Sequence, residues 1–453
     1  MIVGETSRAR FLEQLEDFYH NSQYDHLKAC WTDTVGDDGA PVSFLQKRPS
    51  VVIPLPSLIV DTFTRGLWAA GRRPIPVVKD AQAEDAKELA DLVAETQLYR
   101  VMREATRRAL ITGTGVLTWR VVDGLRVVES WDAKFCTPTF KPGCFPQLIA
   151  LDYVFPFTSE TAGKSITMWS RQTITEESWT VYEPVQEVAD RDPAWSKDTA
   201  LSVDHKLGFV PAVWFLVGAR SSASPWDGSG IYADLLSLFD DLNRTASQSS
   251  KSLFMNLDPQ LVAPGMQPDS LDELRKGTGN VWPLPLGADM KLLESNGAYL
   301  VSADARITSL RKWCLDAAAI VINDPEKVGG GTQSGTSLEL LSAPMIARIS
   351  ELREDVGDGA VRPLLEQMLL HAQPGRPRSV LLHWGSATQT TVDDALTAVQ
   401  AAAAAVTAGI LSRQAAARFV APYLNVTDVD EDANAIEEEG GAPTTFLRAV
   451  KGQ

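Results

Sequence analysis

Asp324-Pro-Glu-Lys-Val-Gly-Gly-Gly-Thr-Gln-Ser-Gly335 interrupts two long helical patterns that together run from Arg306 to Leu370. Apolar residues recur at helical spacing on both sides of it, so the flanks read as structural helices. Glycine adopts backbone angles closed to other residues, so the insert reads as a segment that must adjust between two helices that must not. Ser334 or Thr336 can cap the helix that follows, with Glu339 set to close a capping box from Thr336. Capping accounts for the end of the loop and leaves its length unexplained.

The glycines invite a phosphate-loop reading, but that motif needs a lysine directly after its last glycine, and none follows Gly335. The G-x-S-x-G elbow of hydrolases is absent too, and no strand pattern precedes the loop. Elsewhere the chain offers no competing chemistry. Its four cysteines, Cys30, Cys136, Cys144 and Cys314, lack C-x-x-C spacing and read as isolated thiols in a reducing compartment. Its five histidines form no metal pattern. Asp132 has no histidine near it in sequence, Asp240-Asp241 sits within reach of Arg244 on one helix face, and Asp204-His205-Lys206 reads as a polar turn. The doublets Arg72-Arg73 and Arg107-Arg108 read as ion-pair partners.

At 453 residues with a net charge of −16, the chain can bury a large core, divided into two to four regions. The acidic balance argues against a surface that grips nucleic acid tightly, because phosphate binding needs basic patches. It permits one that lets DNA pass without sticking. No signal-peptide core and no bilayer-length apolar run is present, and Ala398 to Leu411 is short and alanine-dominated.

Along the chain, helical periodicity covers residues 6–31, then a helix follows the proline-rich lead-in at 51–56 with Ser57 as its N-cap, and another spans 82–112. From Val116 the period changes to that of strands. Asp123-Gly124 joins two of them as a hairpin, and further strands follow at 147–154, 165–173 and 176–183. Residues 184–206 read as polar and irregular. A long helix covers 229–254, a proline-rich α+β insert covers 257–300, and helix resumes over 301–322. After the glycine-rich loop a helix runs over 336–371, bent at Gly357 and Gly359. A strand at 379–384, a helical pair over 392–423 and an acidic tail close the chain. The tail carries seven acidic residues and no basic one between Asp428 and Glu439. The fold class expected is α+β, predominantly helical.

Six segments, taken in order, resemble the portal proteins of tailed bacteriophages in their long-tailed, siphophage-type form. They are Leu55-Pro-Ser-Leu-Ile-Val-Asp-Thr-Phe63 with its exit at Gly66 to Pro76, and Ala109-Leu-Ile-Thr-Gly-Thr-Gly115 with its hairpin. Then come Leu207-Gly-Phe-Val-Pro-Ala-Val-Trp-Phe215 and Leu238-Phe-Asp-Asp-Leu-Asn-Arg244. The last two are Ser334-Gly-Thr-Ser-Leu-Glu-Leu340 and Ala408-Gly-Ile-Leu-Ser-Arg-Gln414.

The resemblance implies a ring of about twelve copies, or thirteen in isolated protein, at one capsid vertex, with double-stranded DNA packaged and ejected through its axis. It implies a wing within residues 1–228, stem helices at 229–256 and 301–322, and a clip at 257–300 that meets terminase and later the head-tail connector. It further implies a tunnel loop at 323–335, a tunnel helix returning to the wing over 336–384, and a crown with the acidic tail over 385–453. Asp324, Glu326, Lys327 and Gln333 would lie nearest the DNA, and Gly329, Gly330 and Gly331 would let many copies adjust around a helix whose symmetry does not match theirs. Capsid and scaffolding proteins would be further partners, assembly would occur in the host cytoplasm and the product would reside in the virion. No catalytic residue, cofactor, metal or membrane contact is implied. Two other readings stay open: a different oligomeric scaffold or connector component of a virion, and a small soluble enzyme.

Overall fold

A computed structural model of the chain describes residues 7–33, 35–36, 39–79, 82–161, 164–186, 194–221, 224–257, 260–262, 291–293, 298–321, 335–385, 392–410, 416–417 and 420. The chain is mixed α+β. It opens with α1 (Ser7–His20), the short strands β1 (Ala29–Cys30) and β2 (Lys47–Arg48), α2 (Leu55–Trp68) and β3 (Pro74–Val78). Next are α3 (Ala83–Glu95), α4 (Leu98–Thr112), and the strands β4 (Thr114–Val122), β5 (Leu125–Trp131), β6 (Cys136–Phe140), β7 (Leu148–Thr161) and β8 (Lys164–Thr175). These are followed by β9 (Ser178–Tyr182), β10 (Val185–Gln186), β11 (Lys197–Asp204) and β12 (Ala212–Leu216). Then come α5 (Leu236–Leu257), β13 (Gln260–Val262), β14 (Lys291–Leu293) and α6 (Ala298–Ala317). The last elements are α7 (Gly335–Val356), a π-helical turn (Gly357–Val361), α8 (Arg362–Ala372), β15 (Val380–Trp384) and α9 (Val392–Thr407).

The chain divides into two compact units. The first comprises Met1–Glu16, Pro56–Ala233 and Ala319–Gln453, and the second comprises Asp17–Leu55 and Asp234–Ala318.

In the first unit, β4, β5 and β12 form an antiparallel sheet in the order β12-β4-β5, and a six-stranded sheet runs β11-β9-β8-β7-β6 with β10 also paired to β8. Asp123 (φ 51°) and Gly124 (φ 83°) make the β4–β5 turn left-handed at both positions, as the twist of a two-residue hairpin demands. Both sheets turn apolar residues inward onto one core of Val116, Trp131, Cys136, Leu151, Ile174 and Trp214. Trp131 stacks on Tyr153 at 4.3 Å between centroids, with 14° between the ring planes. A second apolar spine follows α7, the π turn and α8, where Leu352, Val356, Val361, Leu364, Leu365 and Met368 are all fully buried. The Trp119 indole donates to Gln367 Oε1 at 3.0 Å, tying β4 to α8. The bend expected at Gly357 and Gly359 is this π turn.

In the second unit α5 and α6 form a helical hairpin whose far end is closed by the antiparallel pair β13–β14. Segment 17–55 is laced onto the polar side of α5. Val51 N donates to Ser247 Oγ at 2.9 Å and Ile53 N to Asn243 Oδ1 at 2.9 Å.

Several elements differ from their sequence-derived bounds. The helix expected over 6–31 ends at His20, because Asn21 enters the left-handed region at φ 61° and stops it. The helix expected over 82–112 is two helices, broken where Gln97 takes φ 49°. The Thr96 hydroxyl donates back to the Leu92 carbonyl at 2.7 Å there, closing the first helix. Ser57 lies inside α2, which starts at Leu55. Residues 197–204, expected to be irregular, form β11. Its polar residues conceal it because an edge strand exposed on both faces has no alternation to read. The helix expected from 229 begins at Leu236, since the Ser229 and Ile231 amides already donate to the Ala219 and Leu110 carbonyls. The helix expected over 301–322 ends at Ala317, and Ala319 turns left-handed at φ 55°. α7 begins at Gly335, which places Thr336 inside the helix, not at its cap.

Candidate functional site

The residues singled out in the loop, Asp324, Glu326, Lys327, Gly329, Gly330, Gly331 and Gln333, lie outside the described residues. So do Ser334, most of 257–300 and most of 385–453. The described elements that flank the loop in sequence are α6, which ends at Ala317, and α7, which begins at Gly335; the polar contacts described next are those of the α5–α6 hairpin.

α5 carries its polar residues on one side. Asp240 accepts from the Tyr24 hydroxyl at 2.8 Å and from Arg244 Nε at 2.8 Å, and Arg244 Nη1 also donates to the Phe44 carbonyl at 2.9 Å. This bears out Arg244 as a helical-spacing partner of the acidic pair. Burial, and then the neighbouring Asp240, push the Tyr24 hydroxyl up, so it remains a neutral donor. Asp241 is held by Arg306 of α6 at 2.7 Å, which pins the two helices together in antiparallel register. Beside that pair lies a shallow groove of about 260 Å³, lined by residues including Phe44, Gln248, Ser252 and Ala303.

Large apolar side chains of the hairpin stand exposed. Phe254 (71% exposed), Leu253, Val301 (72% exposed) and Trp313 all face solvent. Phe254 and Leu253 are in the last turns of α5, and Val301 is in the first turn of α6, so antiparallel packing brings them to the same end. Burying such side chains stabilises by about 1.5–3 kcal/mol each, and leaving them open on a monomer marks an interaction surface. The sequence does not single out this patch, because the contrast between exposed and buried apolar residues appears only once the two helices are paired.

The titratable groups of the first unit serve packing. Lys134 Nζ lies 2.5 Å from Glu16 and 3.7 Å from Asp132, which also caps the next turn by accepting from Lys134 N. Burial, and then the Asp132 charge, raise the Glu16 carboxyl above its usual range. Cys136 is fully buried and its thiol is pushed well up by that burial, which leaves it protonated and inert. Of the arginine doublets, Arg107 reaches Asp61 at 3.5 Å and Arg108 reaches Glu104 at 2.8 Å, whereas Arg73 lies over the Tyr99 ring at 4.3 Å. Among the described residues no group of three or more His, Cys, Asp or Glu could hold a metal ion, and no helix is long and apolar enough to cross a membrane.

A family model described as phage portal protein, SPP1 Gp6-like, matches residues 76–442. That span covers well over half of the chain, and the chain belongs to this family: it is a phage portal protein, a structural component of the capsid vertex. No curated protein matches it. Among solved structures, it is similar to a chain of the virion of a native gene transfer agent particle, at 14% identity and TM-score 0.42 over 81% of this chain and 89% of that one. It is also similar to a chain in the neck of the empty particle computed with C6 symmetry, at 13% identity and TM-score 0.42 over 81% and 90% of the two chains. A chain in the neck of the native particle computed with C12 symmetry gives 13% identity and TM-score 0.39 over 82% and 95%.

Proposed function

We propose that this portal protein closes into a ring of about twelve copies whose axis conducts double-stranded DNA during packaging and ejection. In this reading α5 and α6 form the stem, residues 257–300 form the clip that docks terminase and later the head-tail connector, and residues 323–335 form the tunnel loop. Asp324, Glu326, Lys327 and Gln333 lie nearest the DNA, and Gly329, Gly330 and Gly331 give the loop its compliance. Residues of 1–228 make most of the wing, 336–384 return the chain to it, and 385–453 make the crown toward the capsid interior. Capsid and scaffolding proteins contact the outside of the ring, which is assembled in the host cytoplasm.

The observation that carries the reading is the apolar end of the α5–α6 hairpin, with Leu253, Phe254 and Val301 open to solvent. A closed ring repeats one interface around its axis and leaves no such face uncovered. The net charge of −16 supports the cargo assignment, since an acidic wall repels phosphate and lets a duplex slide.

Native mass measurement and cryo-electron microscopy of the purified protein test this. The expected result is a closed ring of twelve or thirteen copies, with residues 323–335 facing a bore that admits a B-form duplex. A monomer or dimer, or a ring with that loop on its outer wall, contradicts it.

A further inference from the structure

The described surface of the first unit holds a concentration of positive charge that the carboxylates around it leave unanswered. α2 and α4 touch at a few side chains: Arg107 reaches Asp61 at 3.5 Å, and the Trp68 ring lies 6.4 Å from that of Tyr99. Between them the Trp68 indole donates to the Thr106 hydroxyl at 2.9 Å. Helical spacing puts Arg65 one turn after Asp61 and Arg103 one turn after Tyr99, so each stands one turn from a residue that touches the other helix. Both are exposed, as is Arg100. Arg73 continues the face across the Tyr99 ring at 4.3 Å. Arg72 lies beside it, and Arg353 Nη2 donates to the Arg72 carbonyl at 3.5 Å.

No ion pair joins Arg65, Arg72, Arg73, Arg100 or Arg103 to a carboxylate among the described residues. Arg353 Nε is buried with no hydrogen-bond partner. Burial, and then the charge of Arg72, bring the Arg353 guanidinium down to about 10. Arginines packed beside one another without carboxylates repel, and a bound anion relieves that repulsion. Every cation of the face is an arginine, whose planar fork grips carboxylates or phosphates through paired hydrogen bonds.

We propose that this arginine face is the docking site of the chain's own acidic stretch, Asp428–Glu439. That stretch places seven carboxylates and no basic residue within twelve positions, on a chain whose described residues offer these arginines no ion pair. The other polyanion at hand is duplex DNA. On the portal reading, on which this exclusion rests, a ring presenting five unpaired arginines per copy to DNA would hold its cargo through dozens of phosphate contacts. A channel that must release every base pair cannot work that way.

Fluorescence anisotropy with a labelled peptide of residues 426–441 tests the proposal. The receptor is the full chain carrying Asp428→Asn, Asp430→Asn, Glu431→Gln, Asp432→Asn, Glu437→Gln, Glu438→Gln and Glu439→Gln, which keeps its length and vacates the face. The peptide is expected to bind this chain more tightly than the unmodified one, and to weaken at least about tenfold between about 0.05 M and about 0.5 M salt. Adding Arg65→Gln and Arg103→Gln should weaken it about tenfold or more, with Arg65→Lys and Arg103→Lys in between. Circular dichroism checks that each variant is folded. Peptide affinity unchanged by the Arg→Gln pair overturns the proposal. So does tighter binding of a duplex of about 20 base pairs through the same arginines. Native mass of the same samples reports ring closure separately, so loss of the peptide site and failure of the portal reading are distinguishable.

Discussion

At the scale of single residues, charge buried inside the first unit decides more than charge on its surface. Asp85 of α3 is almost fully buried and accepts from Arg378 Nη1 at 3.0 Å, while the same nitrogen reaches Glu88 at 2.8 Å and Nη2 donates to the Leu369 carbonyl at 3.2 Å. Arg376 also contacts Asp85, at 3.1 Å, but its side chain is half exposed. Removing one partner of a buried pair strands the other, at about 3–5 kcal/mol, whereas an exposed partner contributes about 0–1 kcal/mol. Arg378→Ala should therefore lower the urea midpoint by the equivalent of about 3 kcal/mol, and Arg376→Ala by less than about 1 kcal/mol. Equal losses from the two would show that the burial difference is irrelevant. Glu16 gives a residue-scale pH dependence. Its folded carboxyl titrates above the usual 4.5, so the folded state holds that proton more tightly than the unfolded chain. Stability from this group is present at low pH and is lost as pH rises above 4.5 through the raised value. Glu16→Gln should flatten that part of the stability curve, measured by chemical denaturation from about pH 4 to about pH 7. An unchanged slope would mean that Glu16 does not carry it.

At the scale of elements, the crossing of the α4–β4 junction with the segment 228–231 depends on glycine, whereas the π turn does not depend on it equally. A Cβ on Gly113 would stand 2.1 Å from the Gly228 carbonyl oxygen, on a residue already at φ 83°. A Cβ on Gly359 would meet only the Phe215 Cβ, at 3.4 Å, an ordinary contact. Gly113→Ala should therefore destabilise by several kcal/mol or prevent folding, since backbone cannot move aside as a side chain can. Gly359→Ala should be neutral or stabilise by about 0.5–1 kcal/mol through the chain entropy it removes. Thermal melts of the two variants decide this, and a Gly359 variant as damaged as the Gly113 one would refute the contrast. The same elements mark how far the sequence could be read. Asp123-Gly124 announced its hairpin because few residues accept two left-handed positions in a row. Gly357 and Gly359 announced the bend, because glycine inside a strong helical pattern needs a reason. Gln97 announced nothing, since the break it makes comes from Leu92 and Leu98 both needing the core. β11 stayed hidden because its neighbour β9 supplies the order that its own polar residues do not encode.

For the whole molecule, the loop that decided the sequence reading could be placed only by the order of the segments around it. Asp324 to Gln333 carry no motif of their own, and the channel-lining role proposed for them would acquire its meaning from repetition around an axis, which one chain does not contain. What the single chain does contain is the surface that such repetition would cover. Phe254 and Val301 end α5 and begin α6, and each leaves over two thirds of its surface open. Substitution at exposed positions away from packing features usually changes protomer stability by no more than about 0.5 kcal/mol. Phe254→Asp with Val301→Asp should therefore leave the melting temperature of the folded protomer nearly unchanged. In a closed ring, however, the pair would place two carboxylates at every repeat of an apolar interface, and an unpaired charge in such an interface costs several kcal/mol at each. The cost is multiplied by every junction of the ring, so the double variant should sediment as free protomers where the unmodified chain sediments as rings. The milder pair Phe254→Leu with Val301→Ile keeps the surface apolar and should keep the rings. If the charged variant still closes into rings of the original number, the apolar end of the hairpin is not the subunit contact.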